Sequence, residues 1–264
     1  MKTLAWLPAH PAMGWASMNR CWHVLHEHAS RAPCPGVRFT CPLELAPIQQ
    51  AEAPLWERRW ARNVSYPWQV SKLRSVDAVH VLDHSFADLL RHVPSSVKKL
   101  VTVHDIIPLL DAGELSTAQV TRFRARMMWL HQADVILCVS DFTKQTLIEV
   151  LAVDERKLRV LHNVVELPVK VPDPLELAQA RPWMLIVGVN TERKNLCLVP
   201  KVLRELRAQG VLPSVVRIGP ALQPEISAAI RQEVGDACLV EMGLVSDEGL
   251  ASAYASAELL FFPS

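Results

Sequence analysis

The sequence predicts an α/β protein of two domains with parallel sheets, the second incomplete. Three observations predict it. Ten short runs rich in Val, Ile and Leu recur along the chain without polar alternation, as strands covered on both faces require. Longer stretches with helical periodicity separate them, and strands alternating with helices make a parallel sheet. The alternation breaks once, between His162 and Pro182, where the stretch NVVELPVKVPDPLELAQARP carries four prolines and no clear period.

In chain order, the runs of the first domain are Thr3 to Pro8, Val37 to Cys41, Asp77 to Leu82, Lys99 to His104, Ala133 to Ser140 and Lys157 to His162. Gly14, in PAHPAMGWASMNR, stands between the first run and a helix, where a backbone can approach a phosphate or an acceptor; a simple turn reads the same way. Ser140-Asp141 can cap a helix from Phe142 to about Leu151. The domain is expected over residues 1–165 and the linker over 166–182. The second domain, 183–264, holds the runs Trp183 to Val189, Ser214 to Gly219, Ala237 to Gly243 and Ala257 to Pro263, with a helix expected from Lys194 to Gln209 and stopped by Gly210. Its last run, AELLFFPS, reads as a buried strand, and the loop after such a strand builds the ligand site of an open α/β sheet. The chain is therefore expected to be C-terminally truncated.

Composition narrows the function. Half of the residues are hydrophobic and 21% are charged, which excludes disordered and collagen-like classes. A formal net charge of +1 supplies no field to collect nucleic acid. Cys21, Cys34, Cys41, Cys138, Cys197 and Cys238 show neither a CxxC pair nor zinc-ligand spacing and read as reduced thiols of a cytoplasmic protein. The N-terminus lacks a secretory apolar segment, and no stretch approaches the roughly 18 apolar residues of a spanning helix, so any membrane contact is expected to be peripheral. The nicotinamide, P-loop and hydrolase motifs are absent.

The densest chemistry lies in WMLIVGVNTERKNLCLVPKVLRELRAQ. A buried strand ends at Gly188, and Arg193 and Lys194 stand at the start of the expected helix. Cations there oppose the helix dipole, whereas an anion is favoured by the dipole and the free N–H groups, so the placement suggests a phosphate site. Two solvated surface cations would look the same.

The run G-x-x-x-x-R-K-N, here Gly188, Arg193, Lys194 and Asn195, resembles the stretch of family 4 glycosyltransferases in which the basic pair holds the diphosphate of a nucleotide-sugar donor. Three further segments are similar to blocks of that family: VTVHDIIPLL, ADVILCVSDFTKQTL and GLVSDEGLASAYASAELLFFPS. The resemblance covers Asp77 to Ser264 well and the first 75 residues poorly. It implies the GT-B fold of two Rossmann-like domains and a retaining hexosyltransferase (EC 2.4 type), working in polysaccharide biosynthesis. The donor would carry a hexose such as mannose or glucose, and the acceptor would be a glycan or a lipid-linked sugar, reached from the cytoplasm or the inner face of the membrane. The resemblance implies no cofactor and no metal, the nucleotide sugar being a substrate.

It further implies His104 as the catalytic residue beside the donor sugar, and Gly188, Gly219, Leu244 and Val245 as nucleotide contacts. Without the family, His104 reads equally as a strand-end histidine bonding a neighbouring loop, Asp105 as a turn cap, and Gly219 and Gly243 as ordinary strand-to-helix turns. The chain departs from the family pattern at Val189, where many members have arginine, at Met13, where a second glycine is usual, and at Asn163-Val164, where Asn-Gly is common. Two other functions stay open: a non-catalytic nucleotide-sugar-binding fragment or subunit, and a nucleotide-sugar epimerase of the same fold.

Two further clusters have bland and functional readings. His23, His26 and Glu27 fall at helical offsets that suit metal ligands or a solvated face. Trp56, Arg58, Arg59, Trp60 and Arg62 form a basic aromatic stretch that suits an anionic membrane or a lipid-linked acceptor, or else tryptophans packed on the sheet with arginines outward.

Overall fold

The computed structural model describes residues 1–48, 51–111, 113, 115–163, 173–175, 177 and 182–263. The chain divides into two compact units, Met1–Val164 and Val165–Ser264. Most of the expected linker, 166–182, lies outside the described residues, as does Val164.

The first unit carries the strands β1 (Lys2–Leu7), β2 (Val37–Thr40), β3 (Ala78–Val81), β4 (Lys98–Val103), β5 (Val135–Cys138) and β6 (Leu158–Val160). They form one sheet in the order β2-β1-β3-β4-β5-β6, and every pairing is parallel. Its helices are α1 (Ala16–Arg31), α2 (Leu55–Trp60), α3 (Tyr66–Ser71), α4 (Ile107–Leu110), α5 (Thr117–Met127) and α6 (Asp141–Leu151), with a π turn, Ala61–Ser65, joining α2 to α3. Both sheet faces are covered, which explains the unalternating runs. Ala5, Leu7, Val79, Val81, Val101 and Val103 belong to the main core, while Trp6 packs with Trp22 of α1 on the other side. The Ser140 side chain accepts from the Thr143 amide at 3.1 Å and caps α6 as expected.

The second unit holds β7 (Trp183–Val187), β8 (Ser214–Ile218), β9 (Leu239–Gly243) and β10 (Leu259–Leu260), all parallel in the order β10-β7-β8-β9, with α7 (Leu198–Ala208), α8 (Pro224–Val234) and α9 (Asp247–Ser256). Alternate residues of β7 face opposite layers. Met184 and Ile186 meet Leu196, Val199 and Leu203, while Trp183 and Leu185 meet Ala253 and its neighbours.

Three expectations are corrected. The run AELLFFPS, read as a buried strand, yields only β10, and both of its residues, Leu259 and Leu260, are exposed. Arg193 and Lys194 do not begin the long helix. They lie in a separate 3-10 turn, Glu192–Lys194, which ends because Asn195 adopts a left-handed φ of 48°, and α7 starts only at Leu198. The tryptophans of α2 are not packed inward with arginines outward. Trp56 and Trp60 are exposed, and Arg62 is the side chain that turns in.

Candidate functional site

In an open parallel sheet, ligands gather at the carboxyl ends of the strands, at the point where strand order reverses. In the second unit that point lies between β7, from which the chain proceeds to β8 and β9, and β10, to which it returns. Gly188 follows β7, Gly219 follows β8, and Gly243 ends β9, so three glycines line one edge of the sheet. Gly219 has no alternative. Its φ is 137°, and a Cβ there would stand 2.0 Å from the Gly188 carbonyl oxygen.

The basic turn occupies this reversal point. The Lys194 ammonium lies 4.0 Å from the ring centre of Phe262, just beyond β10, and the Asn195 amide reaches the Pro263 carbonyl at 3.5 Å. Burial lowers the Lys194 pKa and the neighbouring Arg193 lowers it further, so an anion there would relieve both costs. Arg193 is exposed. The turn is thus a short basic loop whose charges face no helix dipole of their own.

Sequence reasoning passed over Arg217. It is an arginine inside an apolar strand, and that break in the pattern was the available signal. Arg217 is fully buried on β8 at a bulge where Ile218 pairs with Gly243. Its guanidinium donates to the carbonyls of Ile218, Ile186 and Gly188 and, at 2.9 Å, to the Asn190 side-chain oxygen. Asn190 in turn donates to the Ala221 carbonyl. Arg217 therefore ties the Gly188–Asn190 turn to the end of β8. Burial lowers its pKa against the opposing field of Glu241.

Leu244 is 75% exposed after β9, while the Val245 side chain packs on the cluster of Leu185, Val216 and Ile218. Ser246 caps α9 through the Gly249 amide.

In the first unit the reversal lies between β1 and β3. Gly14 follows β1 in a left-handed conformation with φ 65°, and its amide donates to the Pro11 carbonyl, as in a closing turn. His104 follows β4. Its Nε2 donates to the Leu82 carbonyl at 2.9 Å, which orients the ring. His84 stands beside it, with ring centres 6.1 Å apart, and its Nδ1 accepts from the His104 amide. Burial lowers the His84 pKa; His104 acts in the same direction, while Asp83 and Asp105 oppose it. Asp105 caps the next turn through the Ile107 amide at 3.1 Å. One strand deeper, His80 meets the Thr102 hydroxyl, and burial, assisted by His104, pushes its pKa down to about 4. Burial thus disfavours the charged form of His80 and His84 at this edge.

The structure does not bring His23, His26 and Glu27 to one point. His23 bonds the Ala46 carbonyl, His26 stacks edge-on to Trp22, and Glu27 pairs with Arg31. All six cysteines are free, and burial raises Cys41 and Cys138 to about 11, so neither is a ready thiolate.

Comparison with known proteins adds the family. The model of Glycosyltransferase Family 4 matches residues 23–168, more than half of the chain. No curated protein matches in sequence. Among solved structures, the sucrose-phosphate synthase of Thermosynechococcus elongatus is similar over 100% of this chain and 76% of its own, with TM-score 0.71 at 16% identity. The apo form of the lipopolysaccharide outer core galactosyltransferase WaaB is similar over 98% of this chain and 73% of its own, with TM-score 0.58 at 14% identity. At such identities the likeness speaks for the fold, which is GT-B.

Proposed function

We propose that this chain, which belongs to glycosyltransferase family 4, transfers a hexose such as mannose or glucose from a nucleotide diphosphate to a glycan or lipid-linked acceptor, with retention of configuration. The observation that carries this reading is the basic turn at the strand reversal of the second sheet. As the bond between sugar and diphosphate breaks, negative charge grows on the phosphate. Arg193 and Lys194 favour that charge more than the ground state. Gly188 and Gly219 keep the strand ends free of side chains, and the exposed Leu244 with the Val245 backbone suits a nucleotide base. In this reading His104 is the catalytic residue for the donor sugar, and Gly14 belongs to the acceptor loop. The departing phosphate takes the proton of the acceptor hydroxyl, so the protein need not supply a base.

The reading calls for no cofactor and no metal, and it places the reaction in the cytoplasm or at the inner face of the membrane. Titrating the chain with a nucleoside diphosphate tests it. Replacing both Arg193 and Lys194 by Ala is expected to weaken diphosphate binding about a hundredfold, since two charge-assisted bonds together contribute about 3 kcal/mol. Binding of the bare nucleoside stays as it was. Unchanged diphosphate affinity would overturn the assignment.

A further inference from the structure

The helical segment from Leu55 to Ser71 is built inside out. Its buried side holds Ala61, Tyr66 and Val70, together with a guanidinium. Arg62 donates to the Ser85 carbonyl, lies 3.6 Å from the Asp88 carboxylate and covers the Phe86 ring at 4.2 Å. Its outer side carries the aromatic residues. Trp56 is 70% exposed, Trp60 58% and Trp68 57%, with Leu55 at 55% and Val64 at 43%.

Trp56, Trp60, Val64 and Trp68 recur every fourth residue. On a regular α-helix of 3.6 residues per turn such a row drifts around the axis. The π turn Ala61–Ser65 widens the helix in the middle of the row and turns it back toward one line. A shallow apolar surface results, lined by Leu55, Trp56, Arg59, Trp60 and Val64. Apolar area of this kind on a soluble domain marks a contact surface.

Charge selects the occupant. Arg59, Lys72 and Arg74 are exposed along the same segment, with Lys72 lying 3.4 Å from the Trp68 ring centre. Arg58 is already paired with Glu52, and Glu57 is the one acid between Leu55 and Ser71. Indoles interleaved with cations suit the interface of an anionic bilayer, where the ring enters the headgroup layer and the cation meets lipid phosphate. We infer that this face, Trp56, Trp60 and Trp68 with Arg59 and Lys72, is a docking surface for an anionic membrane. The inference deepens the membrane-face part of the preceding reading. Its test uses no nucleotide, so either can fail alone.

The test is sedimentation of the chain with vesicles of phosphatidylglycerol mixed with phosphatidylcholine, and with phosphatidylcholine alone. Binding is expected to the anionic vesicles and to fall about tenfold or more in the variant W56S/W60S/W68S. The variant R59E/K72E is expected to lose the preference for anionic lipid. All replaced side chains are exposed, and unchanged thermal melting confirms that each variant is folded. Three results overturn the inference: a wild-type chain that stays in the supernatant, a tryptophan variant that binds undiminished, or a tryptophan-dependent dimer that ignores vesicles.

Discussion

At the carboxyl end of the first sheet stand His84 and His104, with His80 one strand step below; at the carboxyl end of the second stand glycines, Lys194 and the buried Arg217. Both edges sit at the same kind of strand reversal. The difference is chemical. The first edge offers imidazole and backbone groups that suit hydroxyls, and burial disfavours the charged form of its His80 and His84. The second removes side chains to expose backbone and sets cations beside the space, which is how proteins accommodate phosphate. Parallel strands position the chemistry, and the residues after each strand decide which chemistry it is.

The largest expected effect breaks the second edge. Gly219→Ala places a methyl 2.0 Å from the Gly188 carbonyl, at a φ of 137°, and is expected to destabilise the second unit by about 3–5 kcal/mol. Gly188→Ala shares the positive φ, but its Cβ meets nothing closer than the Lys194 Cε at 3.9 Å, so a loss of about 1–3 kcal/mol is expected. Urea unfolding of the two variants checks the order. Equal losses would mean that backbone strain, and not the Gly188 carbonyl contact, dictates glycine at 219.

The next effect tests the first edge by pH. In the unfolded chain His80 titrates near 6.5, whereas in the fold its pKa is about 4. Between these values the unfolded state binds a proton that the native state refuses, so stability falls as pH drops from 6.5 toward 4. The His80 contribution approaches about 3 kcal/mol at the lower limit, and His84, shifted in the same direction, adds to it. Asp77, Asp134 and Asp154 have lowered pKa values, and their stabilisation is lost only at lower pH still. Unfolding midpoints at pH 7 and pH 5 are expected to differ in the wild type and to differ less in His80→Gln, with the remainder owed to His84. A wild type whose stability is flat across this range would refute the burial argument.

Each of the ten strands among the described residues falls in an apolar run of the sequence, because strands covered on both faces must be apolar throughout, although β10 is short and exposed where a buried strand was expected; the Ser140 cap was legible because capping is local. What escaped depends on distant partners. The turn at Asn195 rests on a left-handed backbone that asparagine tolerates but does not announce. The inversion of the tryptophan helix rests on Asp88, Ser85 and Phe86, more than 20 residues away, which together make a place for Arg62. Of the candidate site, the glycines and the basic pair stood out by their place after a strand. The partners of His104 and Arg217 come from neighbouring strands whose order no local pattern encodes.

The smallest expected effect concerns Arg217, and it separates charge from packing at the second edge. Methionine keeps the apolar stem of the side chain and removes a buried cation whose burial is itself costly, so the relief offsets much of what the lost bonds to carbonyls contributed. The melting temperature of Arg217→Met is therefore expected to move little. The Gly188–Asn190 turn, however, loses the bonds from the guanidinium, and the space beside Lys194 loses a positive charge. Nucleoside diphosphate affinity is expected to fall about fivefold, roughly 1 kcal/mol. Arg217→Lys, which keeps the charge without the planar fork, is expected to recover part of that loss. If the melting temperature falls while affinity holds, Arg217 acts on the sheet alone, and the contrast between the two edges then rests on Lys194, Arg193 and the glycines.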